Sequence, residues 1–148
     1  MLNSSLLSNR FLFLAFCLLI AIFSVSLFED VYAHESRPIY VEIQETEPDV
    51  FSFKWKTPRT IPKFNIPSVI VPSNSEQVGM DTVIGQRDSY VKGNIYRCDG
   101  GISGEKIELS FPAITPSAQT LIRLQTLSGI THSILLDPGE LGWEVPAK

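Results

Sequence analysis

The chain has 148 residues with 12 Lys+Arg against 16 Asp+Glu, a formal net charge of −4, and no basic run, which argues against a nucleic-acid surface. Two His and two Cys leave little material for a metal cluster and none for a disulfide framework of several bridges. All nine Gly and all ten Pro fall after residue 33, so the chain divides into two regimes.

In the first regime, Phe11 to Phe28 is an uncharged apolar run preceded by Arg10 and followed by Glu29-Asp30 and Val31-Tyr32-Ala33. One cation, an apolar segment and small residues three and one before a junction predict a secretory signal peptide, residues 1–33, cut after Ala33. The alternative is an uncleaved membrane anchor, since an apolar run of about 18 residues is near the minimum that spans a bilayer. Lipid modification of Cys17 is not expected, because the bulky Phe16 precedes it. Cleavage leaves residues 34–148, one domain's worth of chain. A chain of that size buries about two thirds of its unfolded surface and needs neither metal nor disulfide to fold. Cys98 is then the lone thiol, either buried or open to intermolecular pairing, and its residue type favours burial.

Pro38 to Glu47 alternates, with Ile39, Val41 and Ile43 on one face and Tyr40, Glu42 and Gln44 on the other, the period of a half-buried strand. After the turn signal Pro48-Asp49, Val50 to Lys56 alternates again with Phe51, Phe53 and Trp55 inward, so the pair reads as a hairpin. Prolines 58, 62, 67 and 72 make Thr57 to Pro72 a loop that feeds an edge strand at Ser68 to Val71, covered by Phe64 and Ile66. Ser73 to Gln77 reads as a polar loop. Val78 to Ile84 and Ser89 to Cys98 are further strands, the second broken at Lys92-Gly93-Asn94. Asp99 to Gly104 is a glycine-rich turn. A strand follows it at Glu105 to Phe111, where a phosphate loop would open a helix. Pro112 to Ser117 is a loop. Thr120 to Leu127 and Ile130 to Leu136 flank Ser128-Gly129 as a second hairpin, in which His132 shares a face with Ile130 and Ile134. Asp137-Pro138-Gly139 precedes a tail strand at Leu141 to Val145. The pattern predicts an all-β protein, an antiparallel immunoglobulin-like β-sandwich of seven to nine short strands preceded by a helical signal peptide.

Cleavage after Ala33 would make His34 the first residue, with an α-amine and an imidazole on one residue. Those two nitrogens with His132 opposite give a T-shaped set of three, which suits tetragonal copper, and an α-amine of pKa about 8 is competent near neutrality. The plainer reading leaves His34 as the residue after a cut and His132 as a partly buried strand histidine. Catalytic material is sparse. Gly101-Ile102-Ser103-Gly104 lacks the spacing and the following helix of a nucleophile elbow, and Cys98 lacks any signature linking it to His132. Glu42, Glu45, Glu47 and Asp49 read as solvated charges.

Ala33 to Ile43, Trp55-Lys56-Thr57-Pro58, Gly100 to Ile107 and Leu121-Ile122-Arg123-Leu124, taken in order, resemble the exported N-terminal domain of HupE/UreJ-type proteins. That family is described as nickel or cobalt permeases accessory to hydrogenase and urease. In those proteins transmembrane helices with histidine and aspartate motifs follow the β domain. None follows here, so no transport residue carries over. The resemblance implies a free-standing exterior domain beside a membrane permease, or a truncated copy of a longer gene. His34, Arg37, Pro38, Tyr40, Trp55 and Pro58 match its pattern. Arg37, Tyr40 and Trp55 are thereby candidates for contact with a partner or ligand. Arg37 is the best of them, since core packing would suffice for Trp55. The expected function is that of a non-enzymatic periplasmic or secreted accessory domain, with copper, nickel or cobalt as the metals to consider. The alternatives are an independent copper carrier using His34 and His132, and a secreted copper-dependent oxidative enzyme.

Overall fold

The structure, a computed structural model, describes residues 37–147 together with Phe16 and Leu18. Apart from those two residues, the expected leader lies outside the described residues, as do its cut after Ala33 and His34. Among the described residues no helix is long and apolar enough to cross a membrane. All the strands belong to one compact unit, Ser36–Lys148.

Among the described residues ten strands, against the seven to nine expected, make an all-β sandwich: β1 Ile39–Glu47, β2 Val50–Pro58, β3 Ser68–Ile70, β4 Ser75–Gln77, β5 Thr82–Gly85, β6 Ser89–Cys98, β7 Lys106–Ser110, β8 Thr120–Gln125, β9 Thr131–Leu136 and β10 Gly142–Glu144. A seven-stranded sheet runs β4-β6-β2-β1-β8-β9 with β5 also on β6, and a three-stranded sheet runs β10-β7-β3. The expected period of two in β1 and β2 is present. Ile39, Val41, Ile43 and Phe53 are wholly buried, and with Phe51, Trp55, Ile122 and Leu124 they face Val69, Ile107, Leu109 and Trp143 of the small sheet in one cluster. Each such side chain contributes roughly 1.5–3 kcal/mol by leaving water. Asp49 closes the β1–β2 hairpin at φ 61, a left-handed conformation that Asp tolerates better than most residues.

The expected architecture stands, and the structure departs from it in detail. β1 pairs with β8 in parallel, from Ile39 with Thr120 to Gln44 with Gln125; the chain between them adds β2, β4, β5 and β6 to the large sheet and β3 and β7 to the small one before it returns beside β1 on the same heading. β6 is unbroken across Gly93. A Cβ there would stand 3.1 Å from Thr82 Oγ1, so the glycine admits β5 alongside β6 and does not interrupt it. Within the expected polar loop Ser73 to Gln77, Ser75–Gln77 is strand β4, paired with the end of β6. The expected strand over Val78 to Ile84 is confined to β5. In the proline-rich segment Phe64 is 73% exposed and does not cover β3, whereas Ile66 is buried. A short 3-10 turn at Lys63–Asn65 turns Asn65 inward, where its amide donates to Ile114 O and accepts from Ala113 N.

Candidate functional site

At the hairpin end of the sandwich four connections converge on a cavity of about 300 Å³. They are the β1–β2 turn, the glycine turn after β6, the β8–β9 loop and the tail after β10. Phe51, Ile102, Leu124 and Val145 supply its apolar walls, while Glu45, Asp49 and His132 supply its ionisable groups, and among the described residues no Lys or Arg lines it. Local chemistry fixes each wall. Gly100 and Gly101 adopt φ of 81 and 79, a region open to glycine at no steric cost. Asn74 then holds their turn by donating to Asp99 O at 2.7 Å and Gly101 O at 3.1 Å. Glu45 accepts from Leu127 N at 2.9 Å and so anchors the β8–β9 loop to β1.

His132 is half-buried in β9, opposite the buried Leu124 of β8, and faces the cavity. Its imidazole and the carboxylate of Asp49 have no hydrogen-bond partner among the described residues. Of the other nucleophiles nearby, Thr126 and Ser128 line the cavity with their hydroxyl oxygens 2.8 Å apart, and two more are engaged elsewhere. Ser103 Oγ donates to Pro146 O at 3.0 Å, and Cys98 is buried with Ser75 Oγ at 3.0 Å from its sulfur. Burial pushes the Cys98 thiol above its ordinary value, Asp49 and Asp99 push the same way, and the Ser75 contact partly opposes them. Among the described residues no group of three or more His, Cys, Asp or Glu is placed to hold a metal ion.

The remaining expected site residues lie elsewhere. Arg37 stands at the opposite end of β1, where Arg37, Pro38, Lys56, Pro58, Asp88 and Ser89 line a depression of about 240 Å³. Arg37 Nη1 donates to Asp88 Oδ2 at 2.5 Å, and Lys56 Nζ is 3.9 Å from the other oxygen. The Lys56 ammonium foremost, then the Asp88 amide, Ser89 and Arg37, hold the Asp88 carboxyl below its usual value against partial desolvation. Arg59 secures the same loop through two bonds to Gln86 O and by lying 4.8 Å over Tyr90. Tyr40 is half-buried on the outward face of β1. Trp55 is 4% exposed and gives its only polar hydrogen to Pro67 O at 2.9 Å, so packing accounts for it and no polar group is left for a ligand. The structure thus brings Arg37 and Tyr40 to one end of the large sheet and His132 to the other. Asp49, Phe51 and Ile102 around His132, and Asp88 beside Arg37, carry no sequence signal as a group, because each set comes from loops far apart in the chain.

No family model matches the chain, and no curated protein matches it.

Proposed function

We propose that this protein is an exported, non-enzymatic accessory domain that works by binding, in the role that the exterior domain of HupE/UreJ-type permeases fills beside a membrane partner. The observation that carries this reading is the end cavity itself. It offers apolar walls together with an imidazole and a carboxylate that have no hydrogen-bond partner among the described residues, the usual composition of a binding site. With acidic groups, one imidazole and no cation in its lining, it suits an apolar stem that ends in a cation or a hydrogen-bond donor, such as an arginine or lysine side chain on a partner loop. The engagement of Ser103 with Pro146 and of Cys98 with Ser75 supports a binding role over nucleophilic catalysis, which needs the nucleophile beside its base.

The test is a nuclear magnetic resonance titration with N-acetyl-lysine amide and N-acetyl-arginine amide on the wild type and on Asp49→Asn and His132→Ala. Shifts confined to residues around Phe51, Ile102 and His132, and lost in both variants, are expected. Shifts spread over the surface, or unchanged in the variants, would remove the reading. Nickel, cobalt and copper titrations in parallel report on metal presentation, and co-purification with a membrane permease reports on the partner.

A further inference from the structure

We propose that the outer face of the seven-stranded sheet is a docking surface for a second copy of this chain, packed face to face about a two-fold axis that runs parallel to the strands between β1 and β2.

The strand registers place one residue from each of six of the seven strands, all but β4, in a single row across that face. Tyr40 of β1 is level with Lys56 of β2, Lys56 with Val91 of β6, and Val91 with Ile84 of β5. On the other side Tyr40 is level with Leu121 of β8, and Leu121 with Leu135 of β9. The row therefore reads Ile84, Val91, Lys56, Tyr40, Leu121, Leu135, with its two ends 58% and 51% exposed. The next row along the strands is polar: Thr82, Gly93, Lys54, Glu42, Arg123, Ser133. Single exposed apolar residues are ordinary on a protein surface, but a row apolar on five of six strands and interrupted only by Lys56 is the kind that marks a contact.

A second copy is the occupant because the pattern is complementary to itself. A two-fold interface must bring residue i against j and j against i. Rotation about that axis sets Lys54 against Glu42 of the second copy and Glu42 against its Lys54. In the apolar row it sets Leu121 against Val91, Leu135 against Ile84, and Lys56, whose ammonium lies 3.9 Å from Asp88 Oδ1 of its own chain, against Tyr40. Arg123, the longest side chain of the polar row, meets Gly93, where no side chain competes for the space. Moving the axis onto β1 would oppose Lys54 to Arg123 and Glu42 to itself, so charge selects one register. The size also fits. The six strands run from four residues in β5 to ten in β6, about seven on average, and at about 3.3 Å each across five strand spacings of about 4.8 Å they give somewhat under about 600 Å² a side, the size of a weak, reversible contact. A standard interface buries about 800 Å² per partner.

Sedimentation velocity over a concentration series tests this on the whole protein, with Lys54→Glu and Glu42→Lys made separately. The wild type is expected to show a reversible monomer–dimer equilibrium. Each single variant opposes like charges twice across the interface and should raise the dissociation constant about tenfold or more. A mixture of the two variants should recover the dimer, because each contact then joins one carboxylate to one ammonium, and no effect within a single chain restores it. If either variant fails to fold by circular dichroism, Leu135→Glu and Ile84→Lys carry the same mixing test at the ends of the apolar row. A wild type that stays monomeric throughout, single variants that dimerise unchanged, or a mixture that stays monomeric would each overturn the proposal.

Discussion

Trp55 donates its ring N–H to the carbonyl of Pro67 at 2.9 Å, and that bond ties β2 of the large sheet to the segment that leads into β3 of the small one. Both residues are buried, so the carbonyl has no water to turn to when the donor is removed. Trp55→Phe keeps most of the apolar area and loses the bond. It is expected to cost about 1–3 kcal/mol, the penalty of an unsatisfied buried acceptor. Trp55→Ala adds a cavity and should cost about 3–5 kcal/mol. Urea unfolding followed by circular dichroism measures both, and equal stabilities for Trp55→Phe and wild type would show that the bond does not hold the sheets together.

Thr57, near the end of the same strand, is wholly buried and its Oγ1 has no hydrogen-bond partner among the described residues. A hydroxyl in that position has lost its water and gained nothing in return. Thr57→Val keeps the β-branched shape that suits a strand and removes the unpaired oxygen. The variant is expected to be more stable than wild type by about 1 kcal/mol, read as a higher urea midpoint at unchanged slope. A lower midpoint would mean that the hydroxyl has a partner in solution.

Much of the fold was legible because alternation reports which face of a strand is buried. Ile39, Val41 and Ile43, and then Phe51, Phe53 and Trp55, declare their sheet before any partner is known. Pairing between distant strands leaves no such mark. Nothing local in Ile39–Gln44 or Thr120–Gln125 specifies that they lie side by side and parallel. Gly93 shows the limit of reading residues singly, since a glycine that looked like a break admits a neighbouring strand. At the candidate site, His132 stood out because there are few histidines, but the cavity around it comes from four loops whose meeting only the fold decides. Arg37 was visible as a charge near the expected junction. Its partner Asp88 sits in a turn, where an acidic residue is too common to signal anything.

The Arg37–Asp88–Lys56 cluster carries a pH dependence with a definite sign. Cations hold the Asp88 carboxyl below its ordinary value of 3.8, so the folded protein binds its proton less readily than the unfolded chain does. The contribution is therefore complete above about 3.8 and is lost as pH falls through the lowered value. Because the carboxylate is exposed, added salt screens the effect. Thermal melting between pH 5 and pH 2 should show a shallower acid-side fall for Asp88→Asn than for wild type, with the two curves converging in strong salt. Parallel curves at low salt would mean that Asp88 gains nothing from its neighbours in the folded state.

Cys98 is the thiol against which the packing of the glycine-turn end can be measured. It is wholly buried, and burial first, then Asp49 and Asp99, raise its pKa above the ordinary thiol value while the Ser75 contact partly opposes them. Burial therefore limits both the nucleophilic thiolate and the access of a reagent to it. Alkylation of the native protein by iodoacetamide should be slow and should accelerate in urea in step with unfolding. Asn74→Ala removes the two bonds that hold the Asp99–Gly101 turn, along with a buried carbonyl oxygen that has no partner. In that variant labelling should quicken under native conditions, while global stability falls by about 1 kcal/mol or less because the lost bonds are partly offset by the lost penalty. Fast labelling of the folded wild type would place Cys98 at a mobile surface and contradict its close packing at the end of β6.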